Sequence, residues 1–191
     1  PRNIRESSQR LRILVLGGSQ GALAINEVIP AVLAGFPKEI RPSVRHQTGE
    51  RTLERAQAAY ANKGLDSKDD ITIAAFISDM AEAYSWADLV ICRSGASTVS
   101  EISAVGLPSI LIPYPHHSDQ QQTHNANWLV QAGAAFLLEQ NGLNATSLKT
   151  LVLDLHENRG KLQQMSDISK SIAICDAGEI IARRCLELAH A

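Results

Sequence analysis

Short apolar segments alternate along the chain with longer stretches in which apolar residues recur at helical spacing. The short segments predict six strands, at 12–17, 43–49, 70–76, 88–93, 108–114 and 134–140, and the stretches between them predict helices. Most of these strands are apolar throughout, which is typical of a parallel sheet that is buried on both faces. Right-handed crossovers then favour an α/β fold, with a doubly wound parallel sheet of six strands in the order 3-2-1-4-5-6.

The two ends of the chain differ from this regular pattern. Beyond about residue 145 the sequence predicts only helices, with breaks near 158–160 and 175–178. We expect these tail helices to cover an edge of the sheet or to lie against another domain. Residues 1–10 lack the apolar segment of a signal peptide and are expected to be an inter-domain linker or a truncated end. Residues 11–191 are long enough for one domain with a sizeable core.

Composition excludes several classes of protein. The chain has 191 residues, with 18 Lys and Arg against 20 Asp and Glu, so its formal net charge of -2 gives no general attraction to nucleic acid. No apolar run approaches the roughly 18 residues of a membrane span. The three cysteines form neither a disulfide framework nor a CxxC pair, which favours a reducing, cytosolic setting.

Two loops of small residues carry the candidate chemistry. One, 17–22 (GGSQGA), follows the first strand, the other, 93–98 (RSGAST), follows the fourth, and each leads into a helix. In the predicted order these two strands are neighbours at the switch point, where ligands bind beyond the carboxyl ends of the strands. Glycines let a ligand approach the backbone, and the amides at a helix start favour a phosphate. The expected phosphate-loop residues are Gly17, Gly18, Gly21, Ser94 and Gly95.

The first loop has other interpretations. It fails as a dinucleotide fingerprint, because Ser19 and Ala22 stand where GxGxxG needs glycine. It does match GxSxG, the nucleophile elbow of serine hydrolases, although the strands that precede this elbow in that fold are missing here. A tight turn required only by packing is a further alternative. We favour an anion-binding turn.

Two polar groups are open between a structural and a functional role. Thr98 and Glu101 have the spacing of a capping box, so Glu101 is explained equally well by a cap at its own helix start and by a carboxylate that binds ribose hydroxyls. The glutamines at 120–122 open a helix. They are either readers of sugar hydroxyls or ordinary solvated residues.

No metal is expected. His116, His117 and His124 lack the cysteine or carboxylate partners of a recognisable zinc site. An Asp-x-Asp motif that would hold Mg²⁺ on a diphosphate is also lacking, so helix ends would have to neutralise such a ligand. His46 is expected to be a strand residue and Tyr84 a packing residue.

Three segments together resemble the carboxyl-terminal half of the MurG family of glycosyltransferases. They are 17–22, 76–115 and 119–135, and the resemblance extends over roughly 11–189. It implies one half of a GT-B fold, in which two Rossmann-like domains enclose the active site. This half would hold the donor, UDP-N-acetylglucosamine. The other half would hold the acceptor, lipid I, and supply the base for an inverting transfer that forms lipid II in peptidoglycan synthesis.

The resemblance also implies roles for particular residues. Ser19 would contact the diphosphate or its surroundings, Ile77 would hold the uracil through its backbone, and Glu101 would bind the ribose. The expected substrate-binding residues are Ser19, Ile77, Ala96, Ser97, Thr98, Val99, Ser100, Glu101, Gln121 and Gln122. No catalytic residue, cofactor or metal is expected in this chain. The resemblance further implies a cytoplasmic enzyme that associates peripherally with the inner face of the bacterial cell membrane.

The match departs from the family pattern in places. Thr123 and His124 stand where aromatic residues often follow the glutamine pair, which leaves sugar selectivity open. Arg5 lies too close to Gly17 to be the arginine that serves the donor site in the family. We expect this chain to bind donor and to transfer little or nothing alone. A non-catalytic nucleotide-sugar module acting with a separate partner chain and a serine hydrolase remain the alternatives.

Overall fold

The core of the protein is a six-stranded parallel sheet, seen in a computed structural model that describes residues 3–18, 22–116 and 119–189. The strands are β1 (Arg12–Leu16), β2 (Ser43–Gln47), β3 (Ile71–Ala74), β4 (Leu89–Cys92), β5 (Ser109–Leu111) and β6 (Ala135–Leu137). Their order is β3-β2-β1-β4-β5-β6, which confirms the predicted fold class and strand order. In the register, Val15 of β1 lies opposite His46 of β2 and Ile91 of β4.

The central strands are apolar throughout because each of their faces is covered by its own layer of helices. In β1, Ile13 and Val15 belong to one buried cluster, whereas Leu14 and Leu16 belong to the other. Alternate side chains point to opposite faces of a strand, so a sheet covered on both sides needs an apolar residue at every position.

The helices lie on both faces of the sheet. Within the described residues they are α1 (Leu23–Ala34), α2 (Leu53–Ala61), α3 (Met80–Trp86), α4 (Ala96–Val105), α5 (Gln121–Ala132), α6 (Ala145–Glu157), α7 (Arg159–Ser171) and α8 (Ala177–Ala189). Helix α1 packs against α2 and α6 on one face, and α4 packs against α3 and α5 on the other. Helix α7 contacts α4, α5 and α6, and therefore joins the two layers.

Some predicted elements begin or end elsewhere in the structure. The predicted helix over 50–64 opens with a 3₁₀ turn, Glu50–Thr52, before α2 begins. The predicted helix over 119–133 begins only at Gln121, because Gln120 takes a left-handed backbone conformation with φ of 50°. No buried residue lies on α8. None of the helices in the described parts of the chain is long and apolar enough to span a bilayer.

The opening segment is bound to the domain. The guanidinium of Arg5 donates to Asp88 Oδ2 at 3.0 Å, and the backbone amide of Arg12 donates to the same oxygen at 2.8 Å. The amide of Ile4 donates to the side chain of Gln163 on α7 at 3.1 Å. Arg5 therefore anchors this segment beneath β1 and β4, at the opposite edge of the sheet from the two glycine loops.

Candidate functional site

A crevice of about 690 Å³ opens at the carboxyl ends of β1 and β4. Its walls come from the loop after β1, the start of α1, the end of β4 and the start of α5. The described lining residues are Gly17, Ala22, Leu23, Ala24, Glu27, Arg51, Arg93, Tyr114, His116, Gln122 and Gln140. The structure therefore brings Gly17 of the first loop, Arg93 of the second loop and Gln122 into one crevice at the switch point.

Three helices start at this edge without a side-chain cap among the described residues. Helices α1, α4 and α5 begin after Ala22, Gly95 and Gln120, and none of these residues caps the helix with its side chain. Helix α3 differs, because the carboxylate of Asp79 accepts a 2.8 Å hydrogen bond from the amide of Glu82. Uncapped amides at a helix start, with the positive end of the helix dipole, suit an anionic ligand.

The glycines of the two loops are required for different reasons. A Cβ atom on Gly17 would lie 3.0 Å from both Asn26 Oδ1 and the carbonyl of Gln47, so packing alone demands glycine there. A Cβ atom on Gly95 would meet only Thr98 Oγ1, at 3.8 Å, and its φ of -62° suits any residue. The protein's own contacts therefore do not require glycine at position 95, and the open space above it is available to a ligand.

The segment 96–101 forms the first turns of α4. Ala96, Ser97, Ser100 and Glu101 are exposed, and Thr98 is half-buried. Val99 is the buried residue of this segment. Its side chain packs in the core and its amide donates to the carbonyl of Gly95 at 3.0 Å. None of residues 96–101 is among those that line the crevice.

Glu101 is held by a neighbouring helix. The hydroxyl of Tyr84 on α3 donates to Glu101 Oε2 at 2.8 Å. Since α4 begins at Ala96, Glu101 is too far along the helix to accept from its start, and the capping-box interpretation is wrong. Burial, and to a lesser degree the hydrogen bond to Glu101, raises the pKa of Tyr84, which therefore remains a donor.

The start of α5 is tied to the loop after β4. Ser94 is fully buried, and its hydroxyl donates to the carbonyl of Gln122 at 2.7 Å. The amide group of Asn125 donates to the carbonyl of Ser94 at 3.1 Å. Ser94, expected in the phosphate loop, thus links the loop after β4 to the first turns of α5. The sequence analysis did not identify Asn125. Its position four residues after Gln121 was the available signal, because side chains at this spacing lie on the same face of a helix.

The two glutamines differ in their surroundings. Gln122 Oε1 accepts a 3.0 Å hydrogen bond from the backbone amide of Tyr114. This bond fixes the orientation of the side-chain amide of Gln122, and with it the direction of its amino group. Gln121 is exposed, and its backbone amide donates to the carboxylate of Asp119 at 3.3 Å. Of the pair, Gln122 is the more firmly positioned and the one that lines the crevice.

Ile77 lies in a separate groove beside β3. The groove is lined by Ile77, Arg45, Glu82 and neighbouring strand residues. The backbone amide of Ile77 donates to Gln47 Oε1 at 3.2 Å, so its carbonyl is the group left for a ligand. Next to it, the side chain of Phe76 is 66% exposed. The sequence analysis singled out neither Gln47 nor Phe76, because both lie within predicted strands.

The crevice also carries positive charge that the sequence analysis did not assign. Arg51 and Arg93 both line it. The guanidinium of Arg93 donates to the carbonyls of Ile112 and Pro113, each at 2.9 Å, and so links the ends of β4 and β5. Partial burial lowers the pKa of Arg93, which stays a cation because guanidinium ordinarily ionises far above neutral pH. Arg51 could have been identified from the sequence, because it follows the end of β2 by only a few residues.

His46 is a buried strand residue, as expected. Its side chain is 1% exposed and lies between Asn26 and Tyr60. Burial lowers the pKa of His46 to about 3, so the imidazole is neutral at physiological pH. It is shielded from solvent and cannot act on a ligand.

Some predictions fall outside these observations. Ser19 and Gly21 lie outside the described residues, as does His117.

In the ranges that the structure describes, no three His, Cys, Asp or Glu residues come together as a metal site. A larger groove of about 800 Å³ lies at the opposite edge of the sheet, beside Trp86 and Lys170, and has neither of the glycine loops in its walls.

The chain matches a known family over most of its length. Residues 12–179 match the glycosyltransferase family 28 C-terminal domain. The UDP-N-acetylglucosamine--N-acetylmuramyl-(pentapeptide) pyrophosphoryl-undecaprenol N-acetylglucosamine transferase of Marinobacter nauticus is 47% identical over 183 residues, which is 96% of this chain and 49% of that protein. The enzyme of the same name from Alkalilimnicola ehrlichii is 48% identical over 180 residues, which is 94% of this chain and 49% of that protein. The chain thus spans about half the length of the curated relatives that it matches.

Solved structures agree with this match. MurG of Acinetobacter baumannii superposes with a TM-score of 0.85 and 36% identity, covering 97% of this chain and 55% of that one. The glycosyltransferase of kitacinnamycin superposes with a TM-score of 0.65 at 18% identity, covering 94% and 44%, and shows the shared fold alone. The resemblance drawn from the three sequence motifs is confirmed, and the serine hydrolase gains no support. The chain belongs to glycosyltransferase family 28 and carries the carboxyl-terminal domain of that family.

Proposed function

We propose that this chain is the donor-binding half of an inverting N-acetylglucosaminyltransferase that takes UDP-N-acetylglucosamine. The observation that carries the proposal is the crevice at the ends of β1 and β4, where the uncapped starts of α1 and α5 and two guanidinium groups surround one space. The diphosphate would lie against the amides that open α4, the ribose at Glu101, and the uracil beside the carbonyl of Ile77. The sugar would reach Gln121 and Gln122 at the start of α5.

The chemistry that this half supplies is charge stabilisation. When the bond between C1 of the sugar and the diphosphate oxygen breaks, negative charge grows on the departing UDP. Fixed amides and the guanidiniums of Arg51 and Arg93 stabilise that charge without having to reorganise. The acceptor hydroxyl must lose a proton to a base, and we place that base in the amino-terminal half of the whole enzyme. The chain would then bind donor and catalyse no transfer alone.

The names of the relatives support a specific acceptor. Proteins at 47% and 48% identity are named as transferases to N-acetylmuramyl-(pentapeptide) pyrophosphoryl-undecaprenol, that is, lipid I. We place the whole enzyme in peptidoglycan synthesis, hence in cell wall biogenesis, cell shape and division, on the cytoplasmic face of the membrane as a peripheral protein. The same identity favours this function over a non-catalytic module that works with a separate chain.

Calorimetric titration tests the donor assignment. UDP-N-acetylglucosamine is titrated into the purified chain with EDTA present, and UDP-N-acetylgalactosamine is the comparator. We expect binding without metal and preference for the gluco epimer, because the two sugars differ only in the orientation of one hydroxyl that the glutamines would read. Absence of heat with either ligand, from a chain whose fold is verified by circular dichroism, would contradict the proposal.

A further inference from the structure

A chain of buried polar side chains lies directly beneath Gly17. The hydroxyl of Tyr60 on α2 is 2.9 Å from His46 Nδ1, and His46 Nε2 is 3.0 Å from Asn26 Oδ1. The amino group of Asn26 on α1 donates to the carbonyl of Thr48 and to Thr52 Oγ1, each at 3.0 Å. The network thus joins α1, α2, the end of β2 and the turn that follows it.

The direction of each hydrogen bond in this network is determined by its partners. The Thr48 carbonyl can only accept, so the group of Asn26 that faces it is the amino group and Oδ1 faces His46. His46 Nε2 must then carry the proton, and Nδ1 accepts from the hydroxyl of Tyr60. The imidazole is in its neutral form, in agreement with its burial. Every polar atom of the three side chains has a partner.

The network contacts the loop at Gly17. The amide of Gly17 donates at 2.7 Å to the carbonyl of Gln47, the residue next to His46. Asn26 Oδ1 occupies the space into which a Cβ atom on Gly17 would point, at 3.0 Å. The amide of Asn26 also donates to the carbonyl of Ala22 at 2.9 Å, within the first turn of α1. The side chain of Asn26 therefore packs against Gly17, while its backbone amide makes the first hydrogen bond of α1.

The three side chains do not touch a ligand themselves. Asn26, His46 and Tyr60 are each 1% exposed. A fully satisfied polar network inside a core allows fewer arrangements than apolar packing does, since each group needs its partner in one place. We propose that Asn26, His46 and Tyr60 are positioning residues that hold Gly17 and the start of α1 in place for the donor diphosphate. This inference rests on the proposed function.

The test separates positioning from stability by comparing two ligands. UDP needs the loop, whereas uridine needs only the groups near Ile77 and Glu101. His46→Leu removes both bonds of the imidazole. His46→Gln offers one acceptor and one donor, as the neutral imidazole does, and is the conservative replacement. Leu162→Ala is the control, because Leu162 is equally buried but lies on α7, which packs chiefly on α4, α5 and α6.

Affinities are measured by NMR chemical-shift titration, which also reads weak binding and verifies the fold. We expect His46→Leu to weaken UDP about tenfold and to leave uridine within about twofold, because only Gly17 and the start of α1 lose their support. His46→Gln should recover most of the loss, and Leu162→Ala should lower the melting temperature with no change in the ratio of the two affinities. If His46→Leu does not fold, Tyr60→Phe, which removes one hydroxyl, should give the same selective loss at smaller size.

Three results would overturn the inference. The first is an unchanged ratio of UDP to uridine affinity in the folded variant, and the second is an equal change in Leu162→Ala. The third is failure of the unaltered chain to bind UDP or uridine, which would remove the proposed function as well. Binding by the unaltered chain with no selective loss in the variants would remove this inference alone.

Discussion

The hydroxyl of Tyr84 donates a 2.8 Å hydrogen bond to Oε2 of Glu101, and so links α3 to α4. Tyr84 is 4% exposed, whereas Glu101 is exposed. A buried hydroxyl thus holds one oxygen of an exposed carboxylate and fixes the orientation of that carboxylate. A carboxylate held in this way suits a pair of ribose hydroxyls, because its second oxygen is positioned before the ligand arrives.

The first prediction concerns this pair. Tyr84→Phe removes the donor and keeps the ring in the core, so Glu101 should lose its fixed orientation. We expect UDP affinity to fall by about 1 kcal/mol, roughly fivefold. The loss should be absent for 2′-deoxy-UDP, which lacks one of the hydroxyls that Glu101 would bind. Calorimetric titration of both ligands measures the difference.

Ser85→Ala is the matched control for Tyr84→Phe. Ser85 lies on the same helix, and its hydroxyl donates to the carbonyl of Ala81 at 2.8 Å, away from Glu101. It should leave both affinities unchanged. Equal weakening of UDP and 2′-deoxy-UDP by Tyr84→Phe would show that Glu101 does not read the ribose.

The second prediction compares the two loop glycines. Gly17→Ala places a methyl group 3.0 Å from Asn26 Oδ1 and from the Gln47 carbonyl, and should destabilise the fold by about 1–3 kcal/mol. Gly95→Ala meets no close neighbour and should change stability by less than about 0.5 kcal/mol. It should nevertheless weaken UDP binding, since its methyl group enters the space above α4. Urea denaturation and UDP titration of both variants test this contrast, which a Gly95→Ala variant with full affinity would refute.

The third prediction is a dependence of stability on pH. The pKa of His46 is about 3 in the folded protein and near its ordinary 6.5 when unfolded, so between these values the unfolded chain binds the extra proton. Stability should therefore fall as pH drops below about 6.5, by up to roughly 1.4 kcal/mol per pH unit from this group. Other groups titrate too, so the quantity to measure is the difference between the unaltered chain and His46→Gln.

That difference is obtained from urea denaturation at several pH values between 7.5 and 4.5. The unaltered chain should lose stability faster than His46→Gln as the pH is lowered. Parallel stability curves for the two proteins would mean that His46 is not the buried neutral base that its surroundings indicate.

The sequence was sufficient for the fold because the decisive information is periodic. Alternation of buried strands and amphipathic helices predicts the sheet and its order, and the position of the two glycine loops predicts the switch-point crevice. The start of a helix is less well determined. Thr98 and Glu101 match a capping box by spacing, but α4 begins at Ala96, where no side chain marks the start.

Contacts between distant elements could not be predicted from the sequence alone. The sequence predicts Tyr84 as a packing residue. Its hydroxyl donates to Glu101 because α3 and α4 are neighbours in space, which the sequence alone does not show. Arg51 reaches the crevice through a 3₁₀ turn that has no strong signal. The family resemblance places Val99 in one substrate-binding segment with its neighbours, whereas the period of the helix turns its side chain into the core.

The central claim is that UDP binds at the carboxyl ends of β1 and β4. NMR of the ¹⁵N-labelled chain, titrated with UDP in the presence of EDTA, tests it most directly because each backbone amide reports its own surroundings. We predict the largest shifts at Gly17 and in the amides of Gly95, Ala96 and Ser97. Shifts centred on the opposite groove near Trp86, or none at all, would contradict the account.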